Sequence, residues 1–397
     1  MADSIIKTTI CVLTATRAEY GLLKPLILAL RGQSWIAVEV AVTGMHLSHE
    51  FGLTYRVIEE DGIDIAVKIP IVLGNDTPAD ISKSMGLAMI GFADYFEQTR
   101  PDLLIVLGDR YETLAVCCAA VNARIPIAHL YGGETTQGAV DEAYRHAITK
   151  MSQLHFTSTE EYRNRVIQMG ESPERVFAVG AIGVENALHK PLLSKDMLGK
   201  AIGFTLDKPY AVVTFHPVTL EEGSAAYQCR ELLVALDAFV SMKFIITKAN
   251  ADAEGRAINA MLDRYAMGRN NVRLVDSLGD VRYLSALKHA SCVVGNSSSG
   301  LVEAPSFGIP TVNIGDRQKG RIQAESVLNC KPERLAIVDA INRAISDDFR
   351  RMAKQTINPY GDGNSTSKVM NVILATLSAH KIELKKAFYD IHMEAGV

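Results

Sequence analysis

The chain has 397 residues, and at roughly 100–200 residues per domain that length predicts two or three domains, each with its own core. Its 41 Lys and Arg against 45 Asp and Glu leave a net charge of −4, with no basic excess to meet a nucleic-acid backbone or an anionic membrane. Apolar residues at 48% and charged residues at 22% are globular proportions and exclude a disordered chain.

From the N-terminus, MADSIIKTTICVLTATRAEYG runs straight into a strand-and-turn pattern, without the basic region, apolar stretch and cleavage site of a leader. No apolar run approaches the roughly eighteen residues of a membrane span. The expectation is a cytoplasmic protein. Short apolar runs follow at 9–14, 37–43, 103–108, 125–131, 154–158 and 176–180, with helical patterns at 19–31, 78–99, 111–123, 139–151 and 159–169. The pattern restarts at 210–217 and continues at 243–248, 271–276, 291–296 and 311–315. Strands alternating with helices predict an α/β protein with buried parallel sheets, in two halves that meet near 185–205. The tail reads as one helix over 369–388. Cysteines at 11, 117, 118, 229, 292 and 330 lack ligand or disulfide spacing and read as reduced core residues. They do not read as a zinc site.

Parallel sheets bind ligands beyond the carboxyl ends of their strands, so residues that follow strands are the candidates. Arg17 follows the first strand, Asp109 and Arg110 follow LIVLG, and His216 opens the loop after the first strand of the second half. In VVGNSSSGLVEAPSFGIP (293–310) a strand runs into Ser297, Ser298 and a helix start, a place for a diphosphate, with Glu303 set to accept from ribose hydroxyls. An ordinary N-cap is the competing reading of that segment. The run AHLYGGETTQGAVDEAYRHAITK (128–150) carries Glu134 and opens a helix with Asp141, Glu142, Arg145 and His146. Either Asp141 and Arg145 form a plain i,i+4 pair, or Asp109, Glu134 and Asp141 converge as acid and base groups. The spacing leaves both open. A P-loop, H-E-x-x-H and a strand-linked G-x-G-x-x-G are absent.

Together TRAEYG, VTGMHLS, GDRYETLA, HLYGGETTQGAVDEAYRH, FHPVT, GNSSSGLVEAPSFGIPTVNIGDRQKGR and NPYGDG resemble the hydrolysing UDP-N-acetylglucosamine 2-epimerases, over about residues 8–375. The resemblance implies two Rossmann-like domains of the glycosyltransferase-B type at 1–190 and 191–365, with 366–397 as a helix packing back across them. It implies a UDP site in the cleft, no required metal or nicotinamide cofactor, and a homodimer or homotetramer. It assigns Arg17, Arg110, His216, Asn250, Ser297, Ser298, Glu303 and Arg317 to substrate contacts, and Asp109 and Asp141 to catalysis. The animal bifunctional member has a glutamate where this chain has Tyr131, and Glu134 is taken as the replacement carboxylate. The implied reaction converts UDP-N-acetylglucosamine and water to N-acetylmannosamine and UDP, in sialic acid biosynthesis. UDP-N,N′-diacetylbacillosamine is the alternative substrate. More distant readings are a non-hydrolysing epimerase, a glycosyltransferase and a UDP-sugar sensor.

Overall fold

The computed structural model describes residues 7–71, 77–137, 139–218, 223–249, 254–379 and 382–391. Two wholly parallel sheets organise the chain. The first contains β1 (Thr8–Thr14), β2 (Ile36–Thr43), β3 (Ile65–Ile69), β4 (Leu103–Leu107), β5 (Ile127–Leu130), β6 (Leu154–Thr157) and β7 (Val176–Ala178), in the order β3-β2-β1-β4-β5-β6-β7. The second contains β8 (Tyr210–Thr214), β9 (Lys243–Thr247), β10 (Val272–Val275), β11 (Cys292–Gly295), β12 (Thr311–Ile314) and β13 (Val327–Cys330), in the order β10-β9-β8-β11-β12-β13. Both are Rossmann-like. Every residue of β4, β5, β6, β8, β11 and β12 is buried, as expected of strands covered by helices on both faces.

Two edge strands, β3 and β13, escape the sequence pattern. Their residues are only partly covered, so IAVKI and VLNC lack the apolar run that marks a central strand. In each sheet the strand order reverses at one place, between β1 and β4 and between β8 and β11. The loops that leave those four strands diverge and open a crevice there.

The tail departs from the sequence reading. Its helix is Ser365–Ser378 and stops well short of 388, with Ala379 as the cap. Tertiary contacts take over from there: Lys386 reaches the Ser152 carbonyl at 2.7 Å and Glu171 at 2.8 Å, and the Tyr389 N–H bonds to the Gly170 carbonyl. The helix buries Val369, Met370, Ile373 and Leu377 in the core that holds Leu26, Ile27 and Leu30 of the first sheet's layer. The chain thus crosses to the second sheet and returns. The six cysteines are free, and no helix among the described residues is long and apolar enough to cross a membrane.

Candidate active site

The reversal loops of both sheets face one cleft of about 340 Å³, lined by Arg17, Gly183 and Asn186 from the first half and by Thr214, His216, Ser297, Ser298, Glu303 and Arg317 from the second. Arg17 opens the helix Arg17–Arg31, whose start is fixed by a capping box between Thr16 and Glu19. At the end of β11, Gly295 has φ +133°, and a Cβ there would lie 1.9 Å from the Thr214 carbonyl oxygen of β8. Only glycine lets these two strands end so close together. Just beyond, the fully buried Asn296 ties the loops into one unit. Its Oδ1 accepts the His216 N–H at 2.7 Å, and its carbonyl accepts from Arg317 at 3.1 Å and Gln318 at 2.8 Å.

The helix after Ser298 is shorter than the sequence suggests. It runs only Ser299–Val302 and passes into a tighter turn, Ala304–Phe307, because Pro305 cannot continue the ladder. Little dipole is therefore available. What the segment offers an anion is local: the Ser297 and Ser298 N–H groups, which take no partner among the described residues, and their hydroxyls. Glu303 caps the short helix. Burial pushes its carboxyl up to about 7, aided by the Glu134 charge, while a hydrogen bond from its own backbone N–H and the Arg321 charge oppose the rise. Its Oε2 is buried without a partner, and a Cβ on Gly183 would lie 2.0 Å from its Oε1. Asn250, the remaining substrate candidate, lies outside the described residues.

Deeper in, a network of carboxylates and guanidinium groups continues from the cleft. Asp109 follows β4 and is 24% exposed; Arg145, on the helix Asp141–Met151, is 1% exposed and donates to its carboxylate. The same guanidinium bonds to Glu142 at 2.7 Å, Thr136 at 2.7 Å and the Glu134 carbonyl at 2.9 Å. Along its helix Arg145 therefore pairs with Glu142 rather than with Asp141, because the i−3 carboxylate and the half-buried Asp109 lie on its inward side. Burial alone would raise the Asp109 carboxyl, but Arg145 and Arg321 outweigh it and hold the group below the usual range.

Glu134 has both carboxylate oxygens engaged: Ser158 donates to one at 2.6 Å and Arg321 to the other at 2.9 Å. Glu142 closes the loop from Thr135, accepting from the Thr135 hydroxyl and the Thr136 N–H. Burial works against its charge, but contacts with His146, Thr136 and Arg145 hold it down at about 2. His129 is buried against the Gly108 carbonyl, and burial lowers it to about 3, so it is neutral. Asp141 is half-buried at the head of its helix. Arg110 turns to Glu112 at 2.8 Å instead of standing clear in the crevice.

The structure thus joins Asp109 and Glu134 through two arginines and places Asp141 one helical turn before Arg145. Sequence reasoning missed Arg145 as a site residue and Arg321 altogether. Arg321 stands four residues after Arg317 in GDRQKGR, but nothing local shows that it crosses to the other half, where it also donates to the Thr135 carbonyl at 3.0 Å. Among the described residues no group of His, Cys, Asp and Glu is arranged to hold a metal ion.

Comparison with known proteins sets this geometry in context. A family model described as UDP-N-acetylglucosamine 2-epimerase matches residues 28–374. The chain is 40% identical to the GDP/UDP-N,N′-diacetylbacillosamine 2-epimerase (hydrolyzing) of Campylobacter jejuni, over 97% of this chain and 100% of that protein. It is 40% identical to polysialic acid biosynthesis protein P7 of Escherichia coli, over 95% and 96%. The co-structure of S. aureus MnaA with UDP superposes with a TM-score of 0.78 at 18% identity, covering 96% of this chain and 100% of that one, which confirms the two-domain fold.

Proposed function

The chain belongs to the UDP-N-acetylglucosamine 2-epimerase family, and on that premise we propose that it is a hydrolysing 2-epimerase of a UDP-linked 2-acetamido sugar. One observation carries the reading. A single segment presents Arg317 to the nucleotide-sized cleft and, four residues later, Arg321 to the buried Glu134, so leaving-group and proton chemistry share a wall.

In this reading the uridine ribose meets Glu303, and the diphosphate lies on Ser297, Ser298, Arg317 and Arg17. As the C1–O bond to UDP breaks, positive charge builds at C1 and acidifies the C2 proton, so a weak base suffices. Asp109 is held ionised and stays partly exposed, which suits it to remove that proton, while Glu134 fixes Arg321 beside it. The result is a 2-acetamidoglycal and free UDP. Water then adds to C1 and a proton returns to C2 from the opposite face, with Asp141 as the second acid–base group. The arginines and N–H groups stabilise the phosphate charge as it develops.

For the sugar, the relatives reverse the order reached from the sequence. The Campylobacter protein, matched over its whole length, names both the hydrolysing reaction and N,N′-diacetylbacillosamine, which favours that sugar over N-acetylglucosamine. The polysialic acid protein, at equal identity, keeps UDP-N-acetylglucosamine as the second reading. Release of UDP from each sugar nucleotide decides between them. A kcat/KM at least about tenfold higher for UDP-N,N′-diacetylbacillosamine, or about 1.4 kcal/mol, supports the first. The reverse ratio supports the second, and UDP release only with an acceptor sugar would indicate a glycosyltransferase.

A further inference from the structure

Tyr131 follows β5 in a left-handed backbone conformation, φ +70°. A bulky residue held there costs on the order of 1–3 kcal/mol unless its surroundings impose the geometry. Here they do. The Tyr131 N–H donates to the Phe156 carbonyl of β6 at 2.8 Å, and its ring packs in an apolar cluster with Tyr162, Val184, Val302 and Tyr360, drawn from both halves of the chain. Its hydroxyl oxygen accepts the Gly183 N–H at 3.3 Å, at the start of the helix Ile182–His189. That same Gly183 lines the nucleotide cleft and lies against the Glu303 carboxylate. Burial pushes the hydroxyl well above the usual tyrosine range, and the Glu134 and Glu303 charges add to the rise. Its own proton has no acceptor among the described residues. A buried donor left unpaired is costly, and the Gly183 N–H that holds this hydroxyl belongs to a residue lining the cleft.

We infer that Tyr131 contacts the sugar of the bound substrate, donating its hydroxyl proton to a hexose or acetamido oxygen while the Gly183 N–H fixes its position. The inference rests on the proposed reading of the cleft. Tyr131→Phe removes only the oxygen, keeping the ring and the backbone conformation. Two quantities test it: the affinities for UDP and for the intact UDP-sugar by calorimetry, and kcat/KM with the sugar nucleotide that the wild type prefers. The expected result is a small drop in thermal midpoint as the Gly183 N–H loses its acceptor, UDP affinity within about twofold, and UDP-sugar affinity and kcat/KM both lower by about tenfold. A kcat/KM within about twofold of wild type overturns the inference. Equal losses for UDP and UDP-sugar also overturn it, since the hydroxyl would then serve Glu303. If the wild type turned over neither nucleotide, the functional reading would fail by itself. The calorimetric comparison would still decide the role of Tyr131.

Discussion

At the scale of single residues, the site separates groups that hold charge from groups that await a ligand. Asp109→Asn and Asp141→Asn are each expected to lower turnover by at least about 10²-fold while UDP still binds, and a turnover within a few-fold of wild type would remove that residue from the chemistry. Glu134→Gln should lose comparable activity and stability as well, because it leaves the buried Arg321 without its counter-charge; a denaturant midpoint equal to wild type would contradict this. Glu303 stands apart from these three. Its carboxyl, pushed up to about 7, is half-protonated near neutral pH, and two ribose hydroxyls need acceptors. Binding UDP at pH 7 should therefore release roughly half a proton more from wild type than from Glu303→Gln, read by calorimetry in buffers of different ionisation enthalpy. Equal proton release would separate Glu303 from the ribose. The strand-end positions of Arg17, Asp109, His216 and Ser297 were legible because parallel sheets concentrate ligand contacts there. Arg145 and Arg321 were not, because their partners are remote in sequence and only the fold brings them close.

At the scale of elements, the helix Asp141–Met151 acts through its first turns, where Arg145 gathers Asp109, Glu142 and the Glu134 carbonyl. Arg145→Met should destabilise the protein by about 3–5 kcal/mol in chemical denaturation, since it strands buried carboxylates; a loss below about 1 kcal/mol would mean that water replaces the guanidinium. The segment after β12 links the halves in the same way, with Arg317 and Gln318 on one side and Arg321 on the other. Central strands announced themselves as apolar runs, whereas β3 and β13 did not, because an edge strand buries too few side chains to show one. The tail helix was over-read for a related reason. The helical spacing continues past Ser378, but contacts of Lys386 and Tyr389 with the 150–171 region draw the chain away from it. Glu171, beneath those contacts, is held at about 2 by His155, Lys150 and Lys386 against the cost of burial. A carboxyl depressed in the folded state adds stability above its ordinary range and loses it as pH falls. The tail's contribution should thus fade between about pH 5 and pH 2, read as convergence of the thermal midpoints of wild type and Lys386→Met. A gap that persists at pH 2 would assign the tail's hold to packing.

At the scale of the whole molecule, the two sheets share one cleft, and contacts between their layers hold them about it. Lys190 pairs with Asp280, and Arg256 grips Glu50 with two bonds at 2.9 and 3.1 Å. The two-sheet architecture was legible in the sequence because the strand pattern restarts after 205. The reversal points that create the cleft are properties of strand order, which no local pattern reports. The account's central claim is elimination and rehydration at C1 and C2, and proton NMR in D₂O tests it most directly, with each UDP-sugar in turn. The expected products are UDP and a free 2-epimeric sugar carrying deuterium at C2. A UDP-linked epimer that accumulates, or a free sugar that keeps its original C2 proton, would contradict it.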